Sequence, residues 1–387
     1  MKRIPPFRSL DALRGLAAVW VVMRHASATF AAGPNLHFAH QPLYFVALRG
    51  QLGVMLFFLI SGYCITAAAY AALLTGKPIR RYAFERVRRI YPPYLATLVL
   101  TACTILALRF ASAHRWIAPI NHPHFLGTSV VYWIGNLFLL QSEFHVEVVN
   151  TVFWSLSYEI AFYAVVGVML GSARLIAARR GLAPAALVLF LELAAATCLS
   201  VLSLTFLHDA WFPFDLWHMF ALGGILFFVL EARPDTFPGY SRSVRWLLNS
   251  SAVFLYALTA VSVMLHANDD AWIADPHTRI SSVAVLLFFL LLLALHRVDG
   301  RLGNSRWLRP FLWLGASSYS LYLTHTVILP FASVLTRRAG LDGNLYWISF
   351  WIQIAVAIFF GRLFYLLVER HFISSHQRKR FLEEHAG

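Results

Sequence analysis

Apolar residues in this chain fall into ten long stretches separated by short polar segments. A helix of about 20 apolar residues can cross a bilayer. The stretches cover residues 10–30, 52–74, 90–110, 151–171, 185–207, 212–230, 248–266, 280–296, 311–335 and 345–369. A shorter apolar piece, 129–140, is expected to be a re-entrant or interfacial helix. The pattern predicts an all-α fold, a polytopic membrane bundle of about ten transmembrane helices.

Composition agrees with a membrane protein. The chain is 59% hydrophobic and 13% charged, whereas about a quarter of the residues in soluble domains are charged. The first stretch is long, carries charges and precedes further spans, so we expect a retained span and not a signal peptide. We predict one transmembrane domain over residues 1–370 and a short cytoplasmic tail over 371–387.

The formal net charge of +14 would suggest nucleic-acid binding in a soluble protein. Here Arg and Lys concentrate about four to one in alternate loops, and cytoplasmic loops of membrane proteins carry such an excess. The distribution of charge therefore predicts that both termini lie in the cytoplasm. We expect no nucleic-acid partner. Cys64, Cys103 and Cys198 lie in apolar stretches without metal-ligand spacing, which indicates buried thiols.

Titratable groups inside the first stretch are the strongest functional signal. A charged residue within a membrane span is energetically expensive and marks function by default. Arg14 and His25 are eleven residues apart, which places them on one helix face about 16 Å apart along the axis. Asp11 shares that face near Arg14.

Arginines precede the third stretch in the segment RRYAFERVRRIYPPY, which begins at Arg80. Loop topology explains some of these cations, but six of them, with Lys77 included, crowd into residues 77–89 among aromatics. Pro92 is expected to open the third span. Arg86 and Arg89 are three residues apart, on one helix face. Guanidinium groups in that arrangement suit a phosphorylated ligand.

The fourth stretch contains an acidic residue, Glu159, about 12 Å along a helix that enters from outside. We expect Glu159 at a depth similar to that of His25, where a carboxylate would hold one imidazole tautomer. The alternative is an inert buried ion pair. Trp154 and Tyr158 are also typical of interface aromatics, and Ser155 and Tyr163 lie beside Glu159 in sequence.

Other polar residues in the stretches admit structural interpretations. Ser61 and Tyr63 belong to a segment with small residues that favours helix packing. Tyr322 and His325 end a hydroxyl-rich segment, in which His325 is either a satisfied structural residue or part of a site. Outer-loop histidines, including the pair at 122 and 124, are expected to be solvated or to contact a polar acceptor, so we predict no metal site.

Five of these segments, in this order, resemble the acyltransferase-3 family of integral-membrane acyltransferases. They are DALRGLAAVWVVMRH, GVMLFFLISGY, FERVRRIYPPY, WSLSYEIAFY and SYSLYLTH. The resemblance places the family's Arg–His signature on Arg14 and His25, and its arginine pair on Arg86 and Arg89. Its membrane Trp-Ser-Leu-x-x-Glu motif falls on Trp154, Ser155 and Glu159. His371 stands where such sequences commonly have proline.

The resemblance implies transfer of an acyl group, usually acetyl, from cytoplasmic acyl-CoA to a carbohydrate hydroxyl outside the bacterial inner membrane. Acetyl-CoA or another acyl-CoA would be the co-substrate, and a polysaccharide or lipid-linked glycan the acceptor. The short tail matches the stand-alone form of the family. We expect Arg14, Arg86 and Arg89 to bind the donor, with His25 as general base and Glu159 orienting it; Asp11, Ser61, Tyr63, Trp154, Ser155, Tyr163, Tyr322 and His325 would support them.

Three other interpretations stay open at this point. An acyl-histidine relay would replace direct transfer. A proton-coupled transporter or glycan flippase would also place titratable groups in the membrane, although the internal repeat that many transporters have is missing from the sequence. The third interpretation is a different class of multispan acyltransferase that uses one buried histidine.

Overall fold

A computed structural model of the chain describes residues 7–31, 42–115, 129–206, 211–265, 279–302, 305–341 and 345–373. This part is helical and contains no strand. The helices are α1 (Ser9–Ala31), α2 (Pro42–Leu48), α3 (Leu52–Leu74), α4 (Ile79–Ala113), α5 (Val130–Phe138), α6 (Trp154–Arg180), α7 (Leu182–Phe206), α8 (Trp217–Glu231), α9 (Arg242–Leu265), α10 (Arg279–Leu302), α11 (Arg309–Ala316), α12 (Ser318–Arg338) and α13 (Tyr346–Leu367).

Each of the ten predicted spans overlaps a helix, and the ninth overlaps two. The all-α membrane bundle is confirmed. Within the described ranges, eight helices are long and apolar enough to cross a membrane. The other two are α1, which carries Asp11, Arg14 and Arg24, and α8, which has only 15 residues. The tail predicted at 371–387 lies almost wholly outside the described residues, as do the histidines at 122 and 124.

Several predicted boundaries differ from the observed ones, among them the start of the sixth span, predicted at 212 and observed at Trp217. Helix α4 begins at Ile79 and passes through Pro92 and Pro93, so proline does not open this helix. Arg, Glu and Ala favour helix, which extends α4 beyond its apolar part. The Tyr319 hydroxyl donates to the Ile90 carbonyl at 3.0 Å, close to the two prolines.

The fourth helix begins at Trp154, not at 151, and the ninth span divides into α11 and α12. Gly315, Ser317 and Ser318 surround this division, and glycine and serine are weak helix formers.

The segment 129–140 forms the short helix α5, whose N-cap Ser129 accepts a hydrogen bond from the Val131 amide. Nine residues are too few to span a bilayer.

The chain forms two compact units. Unit 1 comprises residues 1–17, 51–86 and 158–315, and unit 2 comprises 18–50, 87–157 and 316–387. In unit 1, α8 is almost entirely buried and packs against α3, α7, α9 and α10. A Cβ at Gly62 would lie 1.8 Å from the Phe220 carbonyl oxygen, and one at Gly223 would lie 1.9 Å from that of Leu59. Helices α3 and α8 therefore cross at backbone contact, which only glycine permits.

Unit 2 is built around the pair α12 and α13. Glu369, just after α13, is 4% exposed, and its carboxylate accepts hydrogen bonds from the Ser320 amide at 3.1 Å and the Ser320 hydroxyl at 2.5 Å. The carboxylate thereby satisfies the first turn of α12, where backbone N–H groups have no partner within the helix. Residues Glu369–His371 form one 3-10 turn.

Candidate active site

Two histidines meet in unit 2. His25 of α1 is partly buried, and His325 of α12 is fully buried. His25 Nδ1 lies 3.2 Å from His325 Nε2, with ring centroids 4.8 Å apart at an angle of 62°. The structure therefore brings together the first-span histidine and the histidine of the SYSLYLTH segment, 300 residues apart in sequence.

Backbone contacts favour one tautomer in each ring. His25 Nδ1 lies 3.0 Å from the Val21 carbonyl oxygen, and His325 Nδ1 lies 3.1 Å from that of Leu321. A carbonyl only accepts, so each Nδ1 carries the proton and donates it. His325 Nε2 then presents a lone pair to the His25 Nδ1–H, and His25 Nε2 is the basic nitrogen of its ring.

A hydroxyl pair adjoins the histidines. The Tyr322 ring centroid lies 6.0 Å from that of His325. Its hydroxyl is 2.7 Å from the Ser155 hydroxyl, and both lie near 3.1 Å from the Val152 carbonyl oxygen. Four predicted site residues, His25, His325, Tyr322 and Ser155, are thus connected within unit 2.

A second polar cluster in unit 1 surrounds Glu159. Its carboxylate accepts from the Tyr163 hydroxyl at 3.0 Å and the Ser61 hydroxyl at 3.3 Å. The Arg86 guanidinium carbon lies 5.9 Å from the centroid of the Tyr163 ring, within cation–π range. Because α6 begins at Trp154, Glu159 is about 7.5 Å along its helix, less than the 12 Å expected. Its pairing with His25 stays a prediction.

Neighbouring cations around Arg86 have structural roles. Lys77 and Arg81 form ion pairs with Glu85, and Arg88 donates to the carbonyls of residues 372 and 373 at 3.2 and 3.4 Å. The buried Nε of Arg86, by contrast, has no hydrogen-bond partner within the described residues. A buried donor without a partner is costly, so Arg86 is the cation of this segment best suited to a ligand.

The remaining predicted residues occupy separate positions. Arg14 and Asp11 are partly buried on the first half of α1, and Arg89 is partly buried on α4. Trp154 is the first residue of α6. Tyr63 belongs to another cluster, because its hydroxyl donates to Glu231 at 2.9 Å. The predicted roles of these residues in donor binding and support stay predictions.

Sequence reasoning missed the cluster around Glu231. This carboxylate is 2% exposed, and its Oε1 also lies 3.0 Å from His296 Nε2. The signal was present, because Glu231 directly follows an apolar stretch and His296 ends another. Within the described ranges, no group of three or more His, Cys, Asp or Glu residues is placed to hold a metal.

A comparison with protein-family models covers nearly the whole chain. Residues 7–366 match the family model described as an acyltransferase domain. The chain is 30% identical over 177 residues to protein 2 in the picA locus of Rhizobium radiobacter, a match that covers 43% of this chain and 84% of that protein. No solved structure matches.

Proposed function

The chain belongs to the acyltransferase-3 family of membrane acyltransferases, and we propose that it acylates an extracytoplasmic carbohydrate. The acyl group, acetyl in the first instance, would come from cytoplasmic acyl-CoA. A hydroxyl of a polysaccharide or lipid-linked glycan would receive it outside the bacterial inner membrane. Family membership supports acyl transfer, and the residues of the two polar clusters support this particular chemistry.

His25 is the proposed general base. The observation that carries this role is the contact of its Nδ1 with the Val21 carbonyl and His325 Nε2, because it makes Nε2 the basic nitrogen. Nε2 takes the proton of the acceptor hydroxyl as the oxygen attacks the thioester carbonyl. The C–S bond breaks, and the imidazolium returns the proton to the CoA thiolate. General-base catalysis contributes about 10²- to 10⁴-fold.

His325 is the proposed positioning residue for this step. When His25 holds a proton on both nitrogens, its Nδ1–H is flanked by two acceptors, the Val21 carbonyl and His325 Nε2. A hydrogen bond to a charged donor is stronger than one between neutral groups. His325 therefore stabilises the imidazolium that forms during transfer, a role that a carboxylate fills in hydrolase triads. Glu159 in that role is the alternative drawn from the sequence.

Arg86 is the proposed main contact to the donor phosphates, since its buried Nε lacks a hydrogen-bond partner within the described part of the chain. Arginine binds phosphate through several N–H groups in a fixed plane. Arg14 and Arg89 are the further donor-binding residues that the family motifs suggest.

The test follows acetyl-labelled acetyl-CoA with the purified protein in lipid vesicles. With water as the only acceptor, we expect wild-type protein to release labelled acetate from acetyl-CoA by slow hydrolysis, and His25→Ala to lower that rate about 10²-fold or more while CoA still binds. The matched control is His114→Ala, because the exposed His114 also contacts the carbonyl four residues earlier, at 2.8 Å. An unchanged rate in His25→Ala would remove the catalytic assignment, and absence of CoA binding in the wild type would favour a transporter.

A further inference from the structure

A cavity of about 80 Å³ lies in unit 1 between helices α7, α8, α9 and α10, with a lining that is more apolar than polar. Its polar lining comprises Asp215, His218, Thr259, Ser262, Arg279 and Ser282. Asp215 and His218 precede or begin α8, and Arg279 and Ser282 begin α10. The distribution of Arg and Lys predicts that these helix ends face the outside, which is the side where the proposed acceptor arrives.

Defined contacts hold the lining side chains. Asp215 is 9% exposed, and its Oδ2 accepts a 2.6 Å hydrogen bond from the Tyr158 hydroxyl. His218 is 4% exposed, with Nε2 at 3.4 Å from the Ser282 hydroxyl. Arg279 donates from Nε and Nη2 to the carbonyls of Val263 and Met264 at 3.1 and 3.3 Å. The cavity wall is therefore preorganised, a property that lowers the cost of ordering on binding.

The chemistry of the wall is complementary to hydroxyl groups. A carboxylate such as Asp215 only accepts hydrogen bonds, the guanidinium of Arg279 only donates them, and a hydroxyl does both. A monoanion in the cavity would face Asp215, and a cation would face Arg279. Neutral hydroxyls on adjacent carbons can donate to Asp215 and accept from Arg279 without charge repulsion.

The volume limits what enters. A cavity needs only about 10–15 Å³ of such space to hold one water molecule, so this cavity has room for several groups of that size. Sites for whole small molecules are about 300–1,000 Å³. The cavity can therefore take one edge of a sugar ring and not the entire ring.

We propose that this cavity is an acceptor subsite, in which Asp215, His218 and Arg279 bind adjacent hydroxyls of a neutral saccharide. The subsite rests on the proposed function, because it supposes a carbohydrate acceptor outside the membrane. It selects the acceptor by the arrangement of hydroxyls on one ring edge. Binding there requires no titration or covalent change.

The test uses a cysteine introduced at Ser282, which lines the cavity, and one at Ser281, which is fully buried and outside the lining. A small neutral methanethiosulfonate reagent is added to each full-length variant, with the wild-type chain measuring the background from its own cysteines. The probes are the methyl α-glycosides of glucose, galactose, mannose and N-acetylglucosamine.

We expect Ser282→Cys to react faster than Ser281→Cys by about tenfold or more, and at least one glycoside to slow it. Adding Asp215→Asn should raise the glycoside concentration needed by about tenfold, since a hydrogen bond to a charged group is lost. An unreactive Ser282→Cys overturns the proposal. Reaction without protection by any glycoside also overturns it, and identifies a cavity filled by water only.

Acetyl-CoA consumption in the same vesicles separates this proposal from the proposed function. Turnover that depends on His25, without sugar protection, removes the subsite and keeps the acyltransferase. Sugar protection without any turnover keeps a saccharide site and removes the acyltransferase.

Discussion

Two membrane histidines, His25 in unit 2 and His296 in unit 1, have different partners. His25 donates to a backbone carbonyl and lies against a second imidazole, that of His325. His296 lies 3.0 Å from the buried carboxylate of Glu231, which also accepts from the Tyr63 hydroxyl. Only the second arrangement contains the carboxylate that sequence reasoning expected beside a catalytic histidine.

The surroundings of His296 indicate a structural role. The Phe7 ring lies 5.1 Å from that of His296 and 5.9 Å from that of Tyr63, in edge-on geometry. The backbone amides of Arg8 and Ser9 donate to Asp299 at 3.1 and 2.7 Å. Asp299 thus satisfies amides at the start of α1 that have no partner within the helix. The cluster anchors the start of α1 by satisfying its polar groups.

If His25 is the base, as proposed, a carboxylate contact alone does not identify the catalytic histidine of this bundle. In unit 1 the carboxylate binds its histidine and tyrosine as part of the packing. In unit 2 neutral acceptors orient His25 and make Nε2 its basic nitrogen. His25 is the candidate base because its contacts leave Nε2 as the basic nitrogen. The charge of the group that a histidine contacts does not by itself identify the base.

The largest expected effect that tests this comparison comes from His325→Ala. Loss of the acceptor opposite the His25 Nδ1–H removes a hydrogen bond to the imidazolium, which is worth about 1.5–3 kcal/mol. We expect acetyl transfer to fall about 10- to 100-fold in kcat with the KM for acetyl-CoA unchanged. Steady-state kinetics with labelled acetyl-CoA measures both constants.

The controls for His325→Ala use a conservative variant and the other histidine. His325→Gln retains an acceptor oxygen and should recover part of kcat, whereas a purely structural role predicts no recovery. His296→Ala should leave kcat within about twofold, because Nε2 of His296 contacts a structural carboxylate. If His296→Ala lowered kcat as much as His325→Ala, the distinction between the two histidines would fail.

A smaller effect is expected from Glu231→Ala, measured as stability and not as rate. The change leaves the Tyr63 hydroxyl and His296 without their shared acceptor, at a cost of about 1–3 kcal/mol. Thermal unfolding of the purified protein should begin at a lower temperature, with kcat nearly unchanged. Glu231→Gln keeps one acceptor oxygen and should lose less stability. A large loss of kcat at unchanged stability would instead place Glu231 in the chemistry.

The sequence predicted the membrane class, the helices and many of the residues that cluster. Apolar length identifies a span because a bilayer imposes it, and the segment motifs contained His25, His325, Glu159 and Arg86. The sequence did not predict which of these residues belong to the same cluster. Tyr63 and Tyr163 each follow a small or acidic polar residue by a few positions, yet only the structure shows that they contact different carboxylates.

Helix boundaries and the partner of His25 were beyond the sequence for physical reasons. Hydropathy cannot reveal that α4 continues below its apolar part to Ile79, because charged helix formers sustain it. The contact of His25 with His325 joins positions 300 residues apart. Such a pairing depends on how helices pack, and one sequence carries no record of that packing.

The smallest expected effect compares two tyrosines, one beside each histidine. Tyr322→Phe removes a hydroxyl that contacts a neutral carbonyl and the Ser155 hydroxyl, and Ser155 still donates to Val152 at 3.1 Å. We expect a loss of about 0.5–1.5 kcal/mol of stability. Tyr63→Phe removes a bond to the buried Glu231 carboxylate and should cost about 1.5–2 kcal/mol. This is less than the cost of Glu231→Ala, because the carboxylate keeps its contact with His296. Thermal unfolding of the two variants measures the difference. Equal losses would mean that the carboxylate cluster of unit 1 contributes no more to stability than the neutral hydroxyl pair of unit 2.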